Sequence, residues 1–487
     1  AMLNEGDPDD DGVEITYTIS SVTTNGSLSL DGTELALNDT FTQADIDAGL
    51  ITYDHDGSET VSDSFDFSLA DGGEDVVAPA TGTFSITISA VNETPTDIVF
   101  DSETANELTI NTYGTIDQID PTLAAFDDGG YIVVWVSNGQ DGDNYGVFGK
   151  RFNDDGTANG DEFLITSETT DAETNPSVTT FSDGGFVVTW QDQTSGVWAW
   201  SEARVFNADG SAATDEFKVN PGTNGDNEGY QPAVQSLNDN EFVVVWANET
   251  SGSTYEVTGQ IYDRSGATVG SQFIIGSLGS GSGLFGAQTE VALLDDGGFS
   301  TIWRSHDGVS GTTRMRVMNS DGSARSAEVI LPGDNVGDIS SLSNGGFVVS
   351  YDSGGDLKAA IYDANGVLDI PEFTVNTTSS AARYESTVTR SNNDFVVVWE
   401  SSTGDGSSSA ILAQRFDLSG SKIDSEIIVN QTTAGAQQKP EVIETAFGQL
   451  IAVWQSDNVD GDSTGIACRV VATGNSAVDE NAANGTR

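Results

Sequence analysis

The chain has 487 residues, with 77 Asp and Glu against 17 Lys and Arg, a formal net charge of −60 and a pI near 4.1. That balance excludes nucleic acid and anionic membrane surfaces, which need a basic patch, and makes divalent cations the natural partners. A hydrophobic share of 37%, with 8 Trp and 22 Phe, supports two packed domains, so the acidity belongs to a folded surface, one also suited to salty surroundings.

Residues 1–97 carry 21 Asp and Glu and no Lys or Arg; the first basic residue is Lys150. Alternating segments at 13–19, 62–69 and 83–90 predict a compact β-sandwich. The run Phe41-Thr-Gln-Ala-Asp-Ile-Asp-Ala-Gly-Leu-Ile-Thr-Tyr-Asp-His-Asp-Gly, followed by Asp63-Ser-Phe-Asp-Phe, resembles the cadherin-like repeats of the chondroitin-sulfate-proteoglycan type found in giant bacterial surface proteins. The resemblance covers about the first fifth of the chain. It implies calcium near the module junctions, where Asp7, Asp9, Asp11, Asp54, Asp56 and Asp71 are the positions able to hold it. The link at 90–97 is short; calcium at Asn92 and Glu93 would stiffen it.

A motif of an aromatic or aliphatic residue, a β-branched pair and a terminal Trp or Tyr then recurs at 131–135, 186–190, 242–246, 299–303, 347–351, 395–399 and 450–454. The terminal aromatics step by 55, 56, 57, 48, 48 and 55 residues, a period that marks propellers, solenoids or arrays. Each period reads as four short strands. In the first, these are 121–126, 131–135, 145–152 and 162–165, with a tight turn at 127–130. The third strand commonly ends in an Asx-x-x-Gly turn, as at 207–210, 263–266, 319–322, 363–366 and 417–420, because Asp or Asn bonds its own backbone and Gly accepts positive φ.

A second motif, Glu-Phe-x-Val-Asn, marks the outer strand at 216–220 and 372–376, and a related copy, Glu107-Leu-Thr-Ile-Asn111, precedes every repeat it should terminate. The displaced copy predicts a ring closed by its own N-terminal strand, beside 464–471, leaving no open edge. The expected fold is all-β: a cadherin-like sandwich over 1–97, a seven-bladed β-propeller over 98–473, and the opening of a further, truncated cadherin-like repeat over 474–487. Cys468, the only cysteine, forms no internal disulfide and reads as a packing thiol in the last blade.

In such a ring the long loops share one face, and the tight turns on the other, such as 127–130 and 295–298, are expected to leave little room for a site. Aromatics on the long-loop side, Tyr145, Trp198, Trp200, Tyr230, Tyr255, Phe285 and Tyr384, offer stacking surfaces for a sugar ring. Alternation places Trp198 and Trp200 on one face of a strand; packing against the neighbouring blade is the competing explanation. Acidic loops at Asp141-Gly-Asp143-Asn144, Asp226-Asn227, Asp405-Gly406 and Asp457-Asn-Val-Asp460-Gly-Asp462 have the oxygen-rich character that calcium requires, most with a glycine for the bend, although none is a full EF-hand loop.

Catalytic constellations are scarce. His55 and His306 are the only histidines, and no nucleophile elbow or His-Glu-x-x-His motif occurs. His306 with Arg304, and Arg383 with Tyr384 two blades on, would suit a polysaccharide lyase, and a paired-carboxylate glycosidase remains open. The leading expectation is a non-enzymatic, calcium-stabilised adhesion module of a secreted or surface bacterial protein, akin to giant repeat adhesins and RTX-type exoproteins. It would bind glycan or a cell-surface protein, without membrane insertion, beside further cadherin-like repeats. A purely architectural spacer is the third class.

Overall fold

The computed structural model describes residues 15–55, 62–71, 80–87, 107–167, 170–194, 198–219, 229–250, 254–279, 288–306, 311–333, 335–377, 382–390, 393–402 and 404–471. Contacts divide the chain into two units, Ala1–Glu93 and Thr94–Arg487. The expected boundary at 97, the link with Asn92 and Glu93, and the segment after 473 lie outside the described residues.

The first unit contains a four-stranded sheet in the order Thr40–Thr42, Ile15–Ser21, Ser62–Asp71, Ala80–Thr87 and a three-stranded one, Thr33–Glu34, Gly26–Leu30, Ile51–His55. Alternation drives the packing: Ile15, Tyr17 and Ile19 are buried and join Phe41, Phe65 and Phe67 in one apolar cluster. Tyr17 stacks on Phe41 at 5.1 Å between ring centroids, and its hydroxyl donates to Gln43 Oε1 at 2.7 Å. A short helix, Gln43–Asp47, starts at a capping box between Thr42 and Asp45.

Among the described residues of the second unit, seven four-stranded sheets follow one another. Their innermost strands are Gln118–Ala125, Ala172–Thr180, Gly229–Ser236, Thr289–Leu293, Asn335–Ser341, Ala382–Arg390 and Gln437–Glu444. Each lies against the next, and the last lies against the first, so the sheets form a ring. The second strands are continuous apolar runs because sheets cover them on both sides; Tyr131–Asn138 is buried for all but its final residue. Trp135, Trp190, Trp246, Trp303, Trp399, Trp454 and Tyr351, the ends of the repeated motif, are fully buried between successive sheets.

The ring closes through the displaced strand. Leu108–Thr109 pairs antiparallel with Thr464–Val471, Thr109 opposite Ala467 and Leu108 opposite Cys468. Cys468 is buried, as a packing thiol should be, and burial pushes it up to about 12. The initial glutamate of the outer-strand motif binds back to the preceding sheet. Glu162 accepts from Thr112 N at 2.7 Å, Glu216 from Ser167 N, Glu426 from Thr377 N at 2.7 Å, and Glu107 from Gln431 N at 2.8 Å and Thr432 N at 3.0 Å. Glu107 therefore does for the seventh sheet what Glu162 does for the first.

Candidate functional site

The centre of the ring is acidic. Glu290, Asp338 and Glu441 sit on the innermost strands of the fourth, fifth and seventh sheets. Burial, together with the charges of Asp338 and then Glu441, pushes Glu290 well above the ordinary carboxylate range. The fourth and seventh sheets are not neighbours, so Glu441 acts on Glu290 across the middle of the ring. Lys439 of the seventh sheet is ion-paired with Asp120 of the first. Such a centre favours cations and hydroxyl-rich groups over polyanions.

The tight-turn end departs from expectation. A cavity of ≈ 460 Å³ opens there, lined by Gln235, Leu237, Leu294, Asp295, Gly297 and Ser340 from three successive sheets. The turns are as tight as foreseen: Gly297 N donates to Leu294 O at 2.8 Å. Short turns do not fill the space between diverging innermost strands, and that space is what sequence could not show.

On the long-loop side the expected aromatics separate. Trp200 lies under Lys218, whose Nζ is 4.1 Å from its ring centroid, so it belongs to the blade's outer half. Tyr230 and Tyr255 pack against the apolar cluster that contains Trp303. Tyr145 is half-buried at the start of the strand Tyr145–Phe152. Trp198 and Tyr384 lie on described strands, but their side chains, and all of Phe285, fall outside the described residues.

The alternative catalytic set is spread over separate sheets. Arg304 and His306 are on Phe299–His306 in the fourth, and Arg383 and Tyr384 on Ala382–Arg390 in the sixth, with the fifth between. Arg304 is half-buried, with Nε lacking a partner among the described residues; the side chains of His306, Arg383 and Tyr384 lie outside them.

Of the expected metal positions, Asp7, Asp9, Asp11, Asp56, Asn92 and Glu93 fall outside the described residues, as does the side chain of Asp71; Asp54 is exposed on Ile51–His55. Asp457 accepts from Ala436 N at 2.8 Å, Asp460 from Asn111 Nδ2 at 2.8 Å and Asp462 from Ile116 N at 3.2 Å. These three carboxylates thus fasten the closing strand and neighbouring loops, each toward a different donor. Asp141 accepts from Asp143 N at 3.3 Å, and Asp143 is exposed. Among the described residues no three His, Cys, Asp or Glu surround one metal position.

Sequence reasoning missed Asp63. Despite the burial that opposes ionisation, hydrogen bonds from Thr24 N, Asn25 N, Ser64 N and the Tyr53 hydroxyl hold it down at about 2. A lone Asp in a strand pattern carries no signal of this, since two of its backbone donors, Thr24 N and Asn25 N, come from a turn some forty residues earlier.

The Cadherin-like family model matches residues 1–88. No curated protein matches the chain. Similar solved structures include a protein of unknown function from Dyadobacter fermentans, 10% identical with TM-score 0.49, covering 75% of this chain and 98% of that one. The Dos1 propeller is 9% identical with TM-score 0.44, over 75% of this chain and 93% of its own. The β-propeller domain of the Trilobed protease from Pyrococcus furiosus is 10% identical with TM-score 0.42, over 72% and 92%.

Proposed function

We propose that this chain is a non-enzymatic interaction module of a large secreted or cell-surface bacterial protein. In this reading it is stabilised by calcium and binds glycan or a surface protein through the long-loop face of a seven-bladed propeller. The observation that carries the reading is the cadherin-like match over residues 1–88, a module type that points to an extracellular setting, ahead of a ring of seven sheets. A net charge of −60 adds to it, because an acidic surface recruits divalent cations and admits neutral glycans. The side chains of the long-loop face, Tyr145 and Trp198 among them, are the contact surface proposed for a sugar.

Thermal unfolding with calcium and with chelator, beside a glycan array in both conditions, tests this. A higher midpoint with calcium and discrete glycan hits that weaken in Trp198→Ala are expected. An unchanged midpoint and a blank array, with cleavage of an acidic polysaccharide instead, would overturn the proposal.

A further inference from the structure

In the first, sixth and seventh sheets the long loop between second and third strands carries a carboxylate, but its partner is not constant. In the seventh sheet Asp460 Oδ2 lies 2.8 Å from where a Cβ on Gly465 would stand. Asn111 clips the corner: its Nδ2 donates to Asp460 at 2.8 Å and its Oδ1 accepts from Ile466 N at 2.8 Å. The sixth sheet repeats this with Asn430, which donates to Asp405 at 3.0 Å and accepts from Ile411 N at 2.8 Å.

In the first sheet Asp141 Oδ2 stands over Gly146 in the same way, 2.7 Å from its Cβ position. The residue at the asparagine's place in the outer-strand motif is Thr166, which lacks the amide. Asp141 Oδ2 and Thr166 Oγ1 are both buried without a partner among the described residues, and Thr166 is 2% exposed. Thr166 holds the position from which Asn111 and Asn430 bond the loop carboxylate in the sister sheets. A third such atom is Glu173 Oε2, on the innermost strand of the second sheet, in a residue also 2% exposed. Glu173 is directly opposite Asp192 across the strand pair. Glu173 follows Thr166 at the spacing of 7 by which Gln118 follows Asn111, and Gln118 Oε1 accepts from the same Asn111 Nδ2 at 3.1 Å, so Glu173 comes to the corresponding corner.

We infer that Asp141, Thr166 and Glu173 form a binding site for a small oxygen-seeking divalent cation, seated where the asparagine amide sits in the sixth and seventh sheets. Two carboxylates balance its charge and the hydroxyl adds a third hard ligand, with water completing the six to eight that calcium takes. Choosing calcium as the ion rests on the proposed function; the location rests on the unpartnered oxygens and on the sister loops, where an amide fills the same place.

The test is calcium titration of the whole chain, followed by thermal unfolding, for wild type, Thr166→Asn and Glu173→Gln. Thr166→Asn rebuilds the clip of the sister loops. It is expected to raise the midpoint in chelator by about 2 °C and to lose the calcium-dependent increment of the wild type. Glu173→Gln should lose the increment without that gain. If Thr166→Asn keeps the full increment, calcium acts elsewhere: the site is wrong and the calcium-stabilised module stands. If the wild type shows no increment while glycan still binds, both the site and the calcium reading fall and the binding module survives.

Discussion

The junction between the first and second sheets and that between the sixth and seventh are built from the same four-strand plan but filled differently. At the first, Phe186 stacks on Phe206 with ring centroids 4.7 Å apart, Phe126 meets Phe186 edge-on at 6.2 Å and Phe163 leans in beside them. At the other, Leu450 and Ile427 take the places of Phe186 and Phe163, and an apolar void of ≈ 20 Å³ remains, lined by Val396, Val442, Leu450 and Ala452 among others. Rings fill the wedge between fanned-out sheets; aliphatic side chains of the same polarity do not reach across it. The repeat conserves backbone geometry through its turns and Trp positions, and leaves packing density to vary from junction to junction.

The sharpest way to break that comparison is Phe186→Ala, expected to destabilise the ring by about 4 kcal/mol in denaturant unfolding, against about 2 kcal/mol for Leu450→Ala, whose surroundings already contain free space. Equal losses would mean that the aromatic stack adds nothing beyond its area. Next in size is the closure. Asn111→Ala removes the bonds to Asp460 and Ile466 N and should cost about 2–3 kcal/mol, while Asn376→Ala, outside the closing sheet, should cost less; the same loss for both would show that closure is no weaker than any other sheet.

Asp63 extends the comparison to the first unit, whose core is small. Asp63→Asn should lower that unit's stability by about 1–2 kcal/mol at neutral pH. Because the folded carboxyl titrates at about 2, below its ordinary value of 3.8, its contribution is full above the unfolded value and is lost as pH falls through the folded one. The variant should therefore lack part of the acid limb of the wild-type stability curve. The smallest effect is a gain: Leu450→Phe, filling a void of ≈ 20 Å³, should add about 0.5 kcal/mol at roughly 24 cal/mol per Å³. A loss would show that Ile427 and Val442 cannot move aside.

Much of this architecture was legible in the chain because it depends on local pattern. The aromatic-terminated second strands and the displaced Glu107–Asn111 copy are periodic signals, and the structure pairs Leu108–Thr109 with Thr464–Val471 as that copy requires. What each polar side chain binds was not legible. Asp460 reads as a calcium ligand from its spacing, yet it receives Asn111 from 349 positions away. Thr166 looks like a conservative variant of the motif until its own Oγ1 and the Oδ2 of Asp141 are both found buried without a partner among the described residues. Trp200 reads as a stacking platform, but Lys218 from the next strand already covers it. Loop carboxylates and rim aromatics acquire their roles from whichever strand arrives alongside, and periodicity does not encode that arrival.

The closing strand also sets a timetable. Asn111 and Ile466, joined by one hydrogen bond, are 355 positions apart. During synthesis at about 5–20 residues per second, the first of them waits roughly 20–70 s for the second to exist. For that interval the early sheets can form one by one, since each binds mainly its immediate neighbour, but the strand at 108–109 has nothing to pair with. An arrest or a proteolytic cut anywhere before the seventh sheet therefore leaves an unpaired edge at the start of the ring, a sticky end of the kind that seeds aggregation. A propeller fastened in this manner is made safe by its last few residues of sheet, and quality control acting on the nascent chain would find its target at the N-terminal strand.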